Sequence, residues 1–589
     1  MGQKNLTMRV TDSDVDSTSR LALRAVMSIG AIAPSVAHLG WTAEHQLLSQ
    51  SEAHGIVLAF IALYGALVIL WPALRPGRSR LAPTVALRAE KTSSVIVAVG
   101  LVLGLWPAGV ATAGLALFMH TVVLVYNRAL RAGRSPSIVF VGSFGLLILV
   151  GAAGLSLPAA TPEDAPIGAV DALFTATSAV CVTGLTVRDT ATQFTRFGQG
   201  VILALIQLGG LGIVFFAAFL ALVMGSSLSV HATQSLRASA SRDIHGADAI
   251  RRLVLFLALF IISVEAIGAL TLYLGWPKTW AGAPDFSTPA ARAFHSLFFA
   301  ISAFCNAGFA TTSDSLHALR NHWTTHVVIV SLIVTGGIGF PVIVNLRDVV
   351  RAKFSKIRTS DGTLVRLRLH TKIVLWTTLI VYLAGFIGVF LGRALQRDQS
   401  LGQAILDAHF ASVTARTAGF DTVAPADMGP LGRFVLIFQM FIGGSPGSTA
   451  GGVKTIVFSV MLMTVWATML GRSTTQAFGR TIAETVVRQA AALIVLGLAS
   501  ITFVSSVLVA TDGSRHSLEE LLFEAVSACG TVGLSLGVTP DLSTLGKAAV
   551  IVGMFVGRVG PLAVAVALAQ VARKRTASYA YPAEDVLMS

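Results

Sequence analysis

An all-α polytopic membrane protein, with four pseudo-symmetric helix–pore-helix–loop–helix repeats around a central pore, is the fold class this sequence predicts. Three observations predict it. The 589 residues are 54% hydrophobic and only 12% charged, about half the charge of a soluble domain. Apolar stretches of membrane length recur along the whole chain. A short glycine loop also closes a half-length apolar segment four times over: SAVCVTGL at 178–185, SAFCNAGF at 302–309, SVTARTAGF at 412–420 and SACGTVGL at 527–534. Such recurrence at a fixed period is the mark of internal repeats.

The spans fall near 21–41, 55–74, 92–107, 108–127, 137–158, 197–224, 251–275, 323–346, 371–392, 431–470, 485–510 and 544–572. Trp106-Pro107 must turn tightly between the third and fourth, and 431–470 is too long for one straight crossing. The first four spans carry no glycine loop and form an added N-terminal module of about four transmembrane helices, residues 1–135. Pore repeats follow at 136–235, 236–352, 353–480 and 481–575, with a cytoplasmic tail at 576–589. Residues 1–19 are polar and of mixed charge, without the pattern of a cleavable signal peptide.

The formal net charge of +14 is distributed as topology. Basic residues cluster at 75–91, 128–134, 237–252, 347–372, 472–488 and 573–575. Those segments share one side if the spans alternate, so that side is cytoplasmic and both termini are inside. A nucleic-acid-binding stripe is thereby disfavoured. The cysteines, Cys181, Cys305 and Cys529, start three of the glycine loops and have no disulfide or metal spacing. They read as small packing residues. No HExxH, P-loop or dinucleotide fingerprint points to a membrane enzyme.

The loop glycines, Gly184, Gly308, Gly419 and Gly533, recur at intervals of 124, 111 and 114 residues. Three loops share the frame LFxAxSA at 173–179, 297–303 and 522–528; the third loop is one residue longer. Half-helices near 169–180, 293–304, 403–414 and 518–529 would aim their partially negative C-terminal ends at a shared axis. Asp171, Asp407, Glu519 and Glu520 would complement the opposite ends, and Asp189, Asp314 and Asp421 would face the outer mouth. A single such glycine reads as a packing or C-cap residue. Four in register read as a ring of backbone carbonyls able to replace a cation's hydration shell.

These motifs resemble the Trk/Ktr/HKT superfamily of potassium transporters (sodium in some plant members), most closely the bacterial KtrB and TrkH pore subunits. VTGL, SAFxNAGF, RTAGF and GTVGL match its filter loops, and GGSPGSTAGGVKT at 443–455 and GRVGPL at 557–562 are also similar. The resemblance covers about 137–572. It implies K+ held by carbonyls in Val182, Thr183 and Gly184; Asn306, Ala307 and Gly308; Thr417, Ala418 and Gly419; and Thr531, Val532 and Gly533. Glycine at 184, rather than serine, implies potassium over sodium.

The resemblance also implies an intramembrane gating loop at 443–452: Gly443, Gly444, Ser445, Pro446, Gly447, Ser448, Thr449, Ala450, Gly451 and Gly452. Taken alone, that glycine run also fits a passive kink. Lys454 and Arg558 are ionisable residues at membrane depth, which usually line a pathway. Arg558 is expected near the axis, opposite the loop or capping its carbonyls. Glu265 has no assigned part beyond a buried partner or a protonated carboxyl.

The implied function is K+ uptake across a bacterial inner membrane. The alternatives are a sodium-selective or sodium-coupled member of the superfamily, or the potassium-binding subunit of a P-type ATPase complex. The implied partners are a second copy, forming a homodimer, and a separate cytoplasmic ring of nucleotide-binding regulatory subunits. That ring would dock near 229–252, 347–370 and 472–488, because this chain carries no nucleotide-binding domain of its own.

Overall fold

Hydroxyl side chains set the starts of many helices. Thr195, Thr288, Ser400, Ser517 and Ser543 each accept a backbone N–H from the first turn of the helix they precede, satisfying a donor with no partner inside the helix. Ser517 and Glu520 complete a reciprocal capping box. The computed structural model describes residues 136–212, 247–277, 286, 288–355, 366–396 and 400–565. The N-terminal module expected at 1–135 and the tail at 576–589 lie outside the described residues.

Apart from one hairpin and a single parallel β-bridge between Ile442 and Val453, the regular structure of the described residues is helical. In order come α1 (Pro136–Leu155), α2 (Ala169–Cys181), α3 (Arg196–Leu211), α4 (Ala247–Gly275), α5 (Pro289–Cys305), α6 (Trp323–Gly337) and α7 (Phe340–Ser355). Then follow α8 (Leu369–Leu395), α9 (Leu401–Thr414), α10 (Gly429–Phe441), α11 (Thr455–Met469), α12 (Glu484–Asp512), α13 (Leu518–Gly530) and α14 (Thr544–Val559). The hairpin, β1 (Gln476–Ala477) with β2 (Arg480–Thr481), joins α11 to α12 and turns at Phe478 and Gly479, both at positive φ.

Among the described residues, α4, α8 and α12 are long and apolar enough to cross a membrane. Each packs on the short helix that follows it: α4 on α5, α8 on α9 and α12 on α13. The shorter α1 packs on α2 in the same way. The short helices α2, α5, α9 and α13 are the most buried elements. Phe174, Phe298, Phe304, Phe410 and Phe523 are at most 1% exposed. Exposed leucines and isoleucines instead line the outer faces of α4 and α8, such as Leu259, Ile262, Ile380 and Ile387. That inverts a soluble fold and suits a lipid solvent.

Two expectations need correction. The span at 323–346 is a bent pair, α6 and α7, meeting at 97°. Gly336, Gly337 and Gly339 (φ +94°) loosen the chain there, and Pro341 sits in the first turn of α7. Asp407 does not sit at a helix start to meet the dipole. It is the seventh residue of α9, fully buried, and bound by two arginines. Arg320 Nε and Nη2 reach its two oxygens at 2.7 and 2.5 Å, and Arg393 Nη2 lies at 3.2 Å.

Removing one partner of a buried ion group typically costs about 3–5 kcal/mol. Asp407→Asn should therefore lower the thermal unfolding midpoint of the detergent-solubilised protein sharply. Arg320→Lys, which keeps a charge but loses the fork, should cost less.

Candidate functional site: a ring of four glycine loops

Each short buried helix ends in the same unusual way. The residue two before each glycine is not glycine, yet it adopts positive φ: Val182 (56°), Asn306 (60°), Thr417 (76°) and Thr531 (51°). β-Branched residues rarely adopt this conformation, and each such residue costs on the order of 1–3 kcal/mol. In three loops this residue is the left-handed C-cap of the helix. The backbone N–H groups of Val182, Asn306 and Thr531 bond back to Ala179, Ala303 and Ala528. In the third loop Ala415, in right-handed helical conformation, absorbs the extra residue. The positive-φ position is thus restored to two before Gly419.

A hydroxyl in the last turn of each helix then pins its loop. Ser178 and Ser527 accept from the N–H of Gly184 and Gly533, both at 3.1 Å. Ser302 and Thr414 donate to the carbonyls of Phe309 (2.8 Å) and Phe420 (2.5 Å). Three of these hydroxyls lie in or beside the LFxAxSA frame, a signal the sequence carried without revealing its role.

The four loops meet. A Cβ built on Gly184 would lie 2.5 Å from the Ala307 carbonyl oxygen, on Gly308 2.9 Å from that of Ala418, on Gly419 2.5 Å from that of Val532, and on Gly533 2.2 Å from that of Thr183. Each glycine thus abuts the next loop in chain order, and the fourth returns to the first. The glycines are required because any side chain would enter this shared space. Beyond them opens a cavity of about 320 Å³, lined by the four glycines and by residues that follow them, including Asp189, Thr312, Asp421 and Ser535. Asp314, expected at this mouth, is not among the residues lining it.

His317 Nε2 lies 3.2 Å from Asp421 Oδ2 at this mouth. The Asp421 carboxylate raises the His317 imidazole above its usual value, with Asp314 and Asp427 adding to the effect. Below the raised value His317 is charged and offsets Asp421; as pH climbs through it, the pair's stabilisation is lost and Asp421 stands uncompensated. Apparent cation affinity should therefore improve with rising pH in this window. His317→Gln should flatten that dependence in an uptake assay run across pH.

On the opposite side of the ring sits the segment between α10 and α11. It touches residues that precede the glycines. A Cβ on Gly451 would meet Thr531 Oγ1 at 2.1 Å, and one on Gly452 the Gly530 carbonyl at 3.0 Å. Thr449 Oγ1 donates to the Phe304 carbonyl at 3.1 Å. The segment is not free coil. Gly443 N–H bonds Val453 O (2.9 Å), Ser445 N–H bonds Gly337 O (3.1 Å), and Phe340 N–H bonds Gly447 O (2.9 Å). The bend between α6 and α7 therefore holds it.

Two cations latch the same segment. Lys454 Nζ donates to Ala450 O at 2.5 Å. Arg558, on α14, donates through Nη1 to Thr449 O and through Nη2 to Gly209 O (2.5 Å) and Gly210 O (3.1 Å). One guanidinium thus joins α14 to the end of α3 and to the segment between α10 and α11. Of the carbonyls that Arg558 caps, one, that of Thr449, belongs to the segment, and the other two belong to the end of α3.

Sequence reading missed a second repeat. Gly-Gly-Leu-Gly at 209–212, Gly-Gly-Ile-Gly at 336–339, Gly-Gly-Ser-Pro-Gly at 443–447 and Gly-Arg-Val-Gly at 557–560 occupy matching places after each loop. The last glycine of each has positive φ: Gly212, Gly339, Gly447 and Gly560. The first lets a backbone pass close by. A Cβ on Gly209, Gly336 or Gly557 would lie 1.9–2.2 Å from the carbonyl of Val180, Phe304 or Cys529, at the end of a short helix. Arg558 stands where the other three copies have glycine, which is why a single arginine projects there. Glu265 has a partner: both its oxygens accept from Gln207 Nε2, at 3.1 and 3.2 Å. All three cysteines are buried and free.

Apolar helices of membrane-spanning length packed around a closed ring of glycine loops define a membrane protein. The family model described as TrkH, cation transport protein, matches residues 148–575. The potassium/sodium uptake protein NtpJ of Enterococcus hirae is 33% identical over 471 residues, 79% of this chain and 99% of that protein. The Ktr system potassium uptake protein B of Bacillus subtilis is 38% identical, over 72% of this chain and 91% of its own length. The crystal structure of the potassium transporter TrkH from Vibrio parahaemolyticus superposes with a TM-score of 0.55 at 18% identity, covering 95% of this chain and 99% of that one. The chain belongs to the TrkH family of cation transport proteins.

Proposed function

We propose that this chain is the ion-translocating subunit of a K+ uptake system in a bacterial cytoplasmic membrane. The carrying observation is the cyclic contact of Gly184, Gly308, Gly419 and Gly533, each against the carbonyl that precedes the next. In this reading the carbonyls of Thr183, Ala307, Ala418 and Val532 stand in for water around a dehydrated K+. The buried helices α2, α5, α9 and α13 aim their negative dipole ends at it. The flow is inward, driven by a potential worth about 2.3 kcal/mol per charge per 100 mV.

The segment 443–452 is the gate and blocks the path on the inner side of the filter. Arg558 and Lys454 hold it closed by capping its carbonyls. Opening requires release of Thr449 O from Arg558 and a shift of the α6–α7 bend that grips Gly447 and Ser445. Both termini are cytoplasmic. The functional unit is a homodimer with a separate ring of nucleotide-binding regulatory subunits docked on the basic loops, in keeping with a relative described as protein B of a Ktr system.

Sodium is the second reading, favoured by one relative's description as a potassium/sodium uptake protein. Ion-selective flux into proteoliposomes separates the two. Potassium should be preferred by the wild type and the preference should fall in Gly184→Ser; equal uptake of both ions by both proteins would defeat the filter assignment.

A further inference from the structure

Beside the third loop, between α6, α8 and α9, lies a cavity of about 350 Å³. Aliphatic side chains make most of its wall, with a polar patch from Asn306, Thr378, Tyr382, His409, Ser412 and Arg416. None of its lining residues is a carboxylate. Most of the polar patch is already engaged. Tyr382 Oη and His409 Nδ1 bond each other at 2.8 Å, and Ser412 Oγ donates to the Tyr382 carbonyl at 2.8 Å. The Asn306 amide, turned to satisfy its nitrogen, donates to Ala303 and Ile333 carbonyls.

Two groups are not satisfied. Arg416 Nε is buried without a hydrogen-bond partner, and so is Thr378 Oγ1. The Arg416 Nη1 contact to the Thr378 carbonyl, at 3.5 Å, is at the limit of a hydrogen bond. A guanidinium at membrane depth with one marginal acceptor is a costly arrangement. Here it also stands one residue before Thr417 of a ring read as a cation site, where an uncompensated positive charge would oppose occupancy. A guanidinium can only donate, and the Thr378 hydroxyl is free to donate as well. The missing component is therefore an acceptor carrying negative charge. The cavity has room for one, since a water-sized occupant needs only about 10–15 Å³ of such space.

We propose that this cavity binds a small monovalent anion of halide size, held by the Arg416 guanidinium and the Thr378 hydroxyl, as a counter-ion to the third loop. Its benefit to cation flux rests on the filter reading above; its occupancy does not.

Crystals of the full chain grown in bromide should give an anomalous peak within hydrogen-bonding distance of Arg416. Thermal unfolding in nanodiscs, titrated with sodium bromide against sodium gluconate, should show saturable stabilisation of the wild type. Thr378→Val should weaken that response about tenfold, the size of one hydrogen bond to a charged group, and Arg416→Gln should abolish it. Thr378→Val keeps the test open if the arginine variant does not fold. No bromide peak at saturating concentration, or an equal bromide response in wild type and Thr378→Val, overturns the site. Potassium-dependent stabilisation recorded on the same samples reports the ring separately. A lost halide response with an intact potassium response therefore counts against the anion site alone.

Discussion

Gly533→Ala is expected to abolish K+ uptake while leaving the protein in the membrane. Gly533 has φ +94°, which disfavours any side chain, and the added methyl would lie 2.2 Å from the Thr183 carbonyl oxygen. Heavy atoms at that separation overlap severely, so either the loop or the first-repeat carbonyl must move. Neither can move alone, because Ser527 pins Gly533 and Ser178 pins Gly184. A displacement of 1 Å at a coordination shell is ruinous to a site that depends on geometry. Uptake should fall by at least about two orders of magnitude, since losing one ligand-grade contact of roughly 3 kcal/mol corresponds to about 100-fold. Rescue of K+-starved cells on low-potassium medium measures it, with immunodetection in membranes as the control. The same change at Gly212, where a Cβ would meet nothing within 4 Å, should leave far more activity despite its positive φ.

Arg558→Gln should have the opposite sign. The wild-type guanidinium ties Thr449 O to Gly209 O and Gly210 O, three carbonyls from two other parts of the chain. Charge-assisted bonds of this kind are worth about 1.5–3 kcal/mol each to stability, and their loss favours any state in which the segment has moved away. Glutamine is shorter, uncharged and has one amide nitrogen, so it cannot bridge both sides. A shift of about 1.4–3 kcal/mol toward the open state would raise unregulated flux roughly 10- to 100-fold. Thallium-quench or rubidium uptake into liposomes, without any regulatory subunit, reads this directly. Lys454→Gln removes the second latch on Ala450 and Gly451 and should raise flux less, because it bridges nothing beyond its own segment.

How much of this was legible depended on the range of the interaction. The short helices were readable because their apolar runs end at a glycine in a repeated frame; the expected 169–180 and 518–529 fall within a residue of α2 and α13. The convergence of the loops was readable because four copies in register imply a ring. The extra residue of the third loop was visible, but its absorption at Ala415 followed from backbone dihedral angles that no residue type announces. The partners of Asp407 were not legible. Arg320 and Arg393 lie 87 and 14 positions away, and nothing local to Asp407 marks it as buried. The 97° bend was missed because an apolar run of the right length hid three glycines and a proline. The Gly-Gly-x-Gly repeat went unread because its fourth copy carries Arg558 in place of glycine, and its third an inserted Pro446.

The central proposal is a dehydrated cation held at the meeting point of the four loops. Crystals of the full chain soaked in rubidium or thallium should show an anomalous peak on the common axis, ringed by the carbonyls of Thr183, Ala307, Ala418 and Val532, and lost in excess potassium. A strong peak elsewhere, or an empty ring at saturating ion, would contradict it.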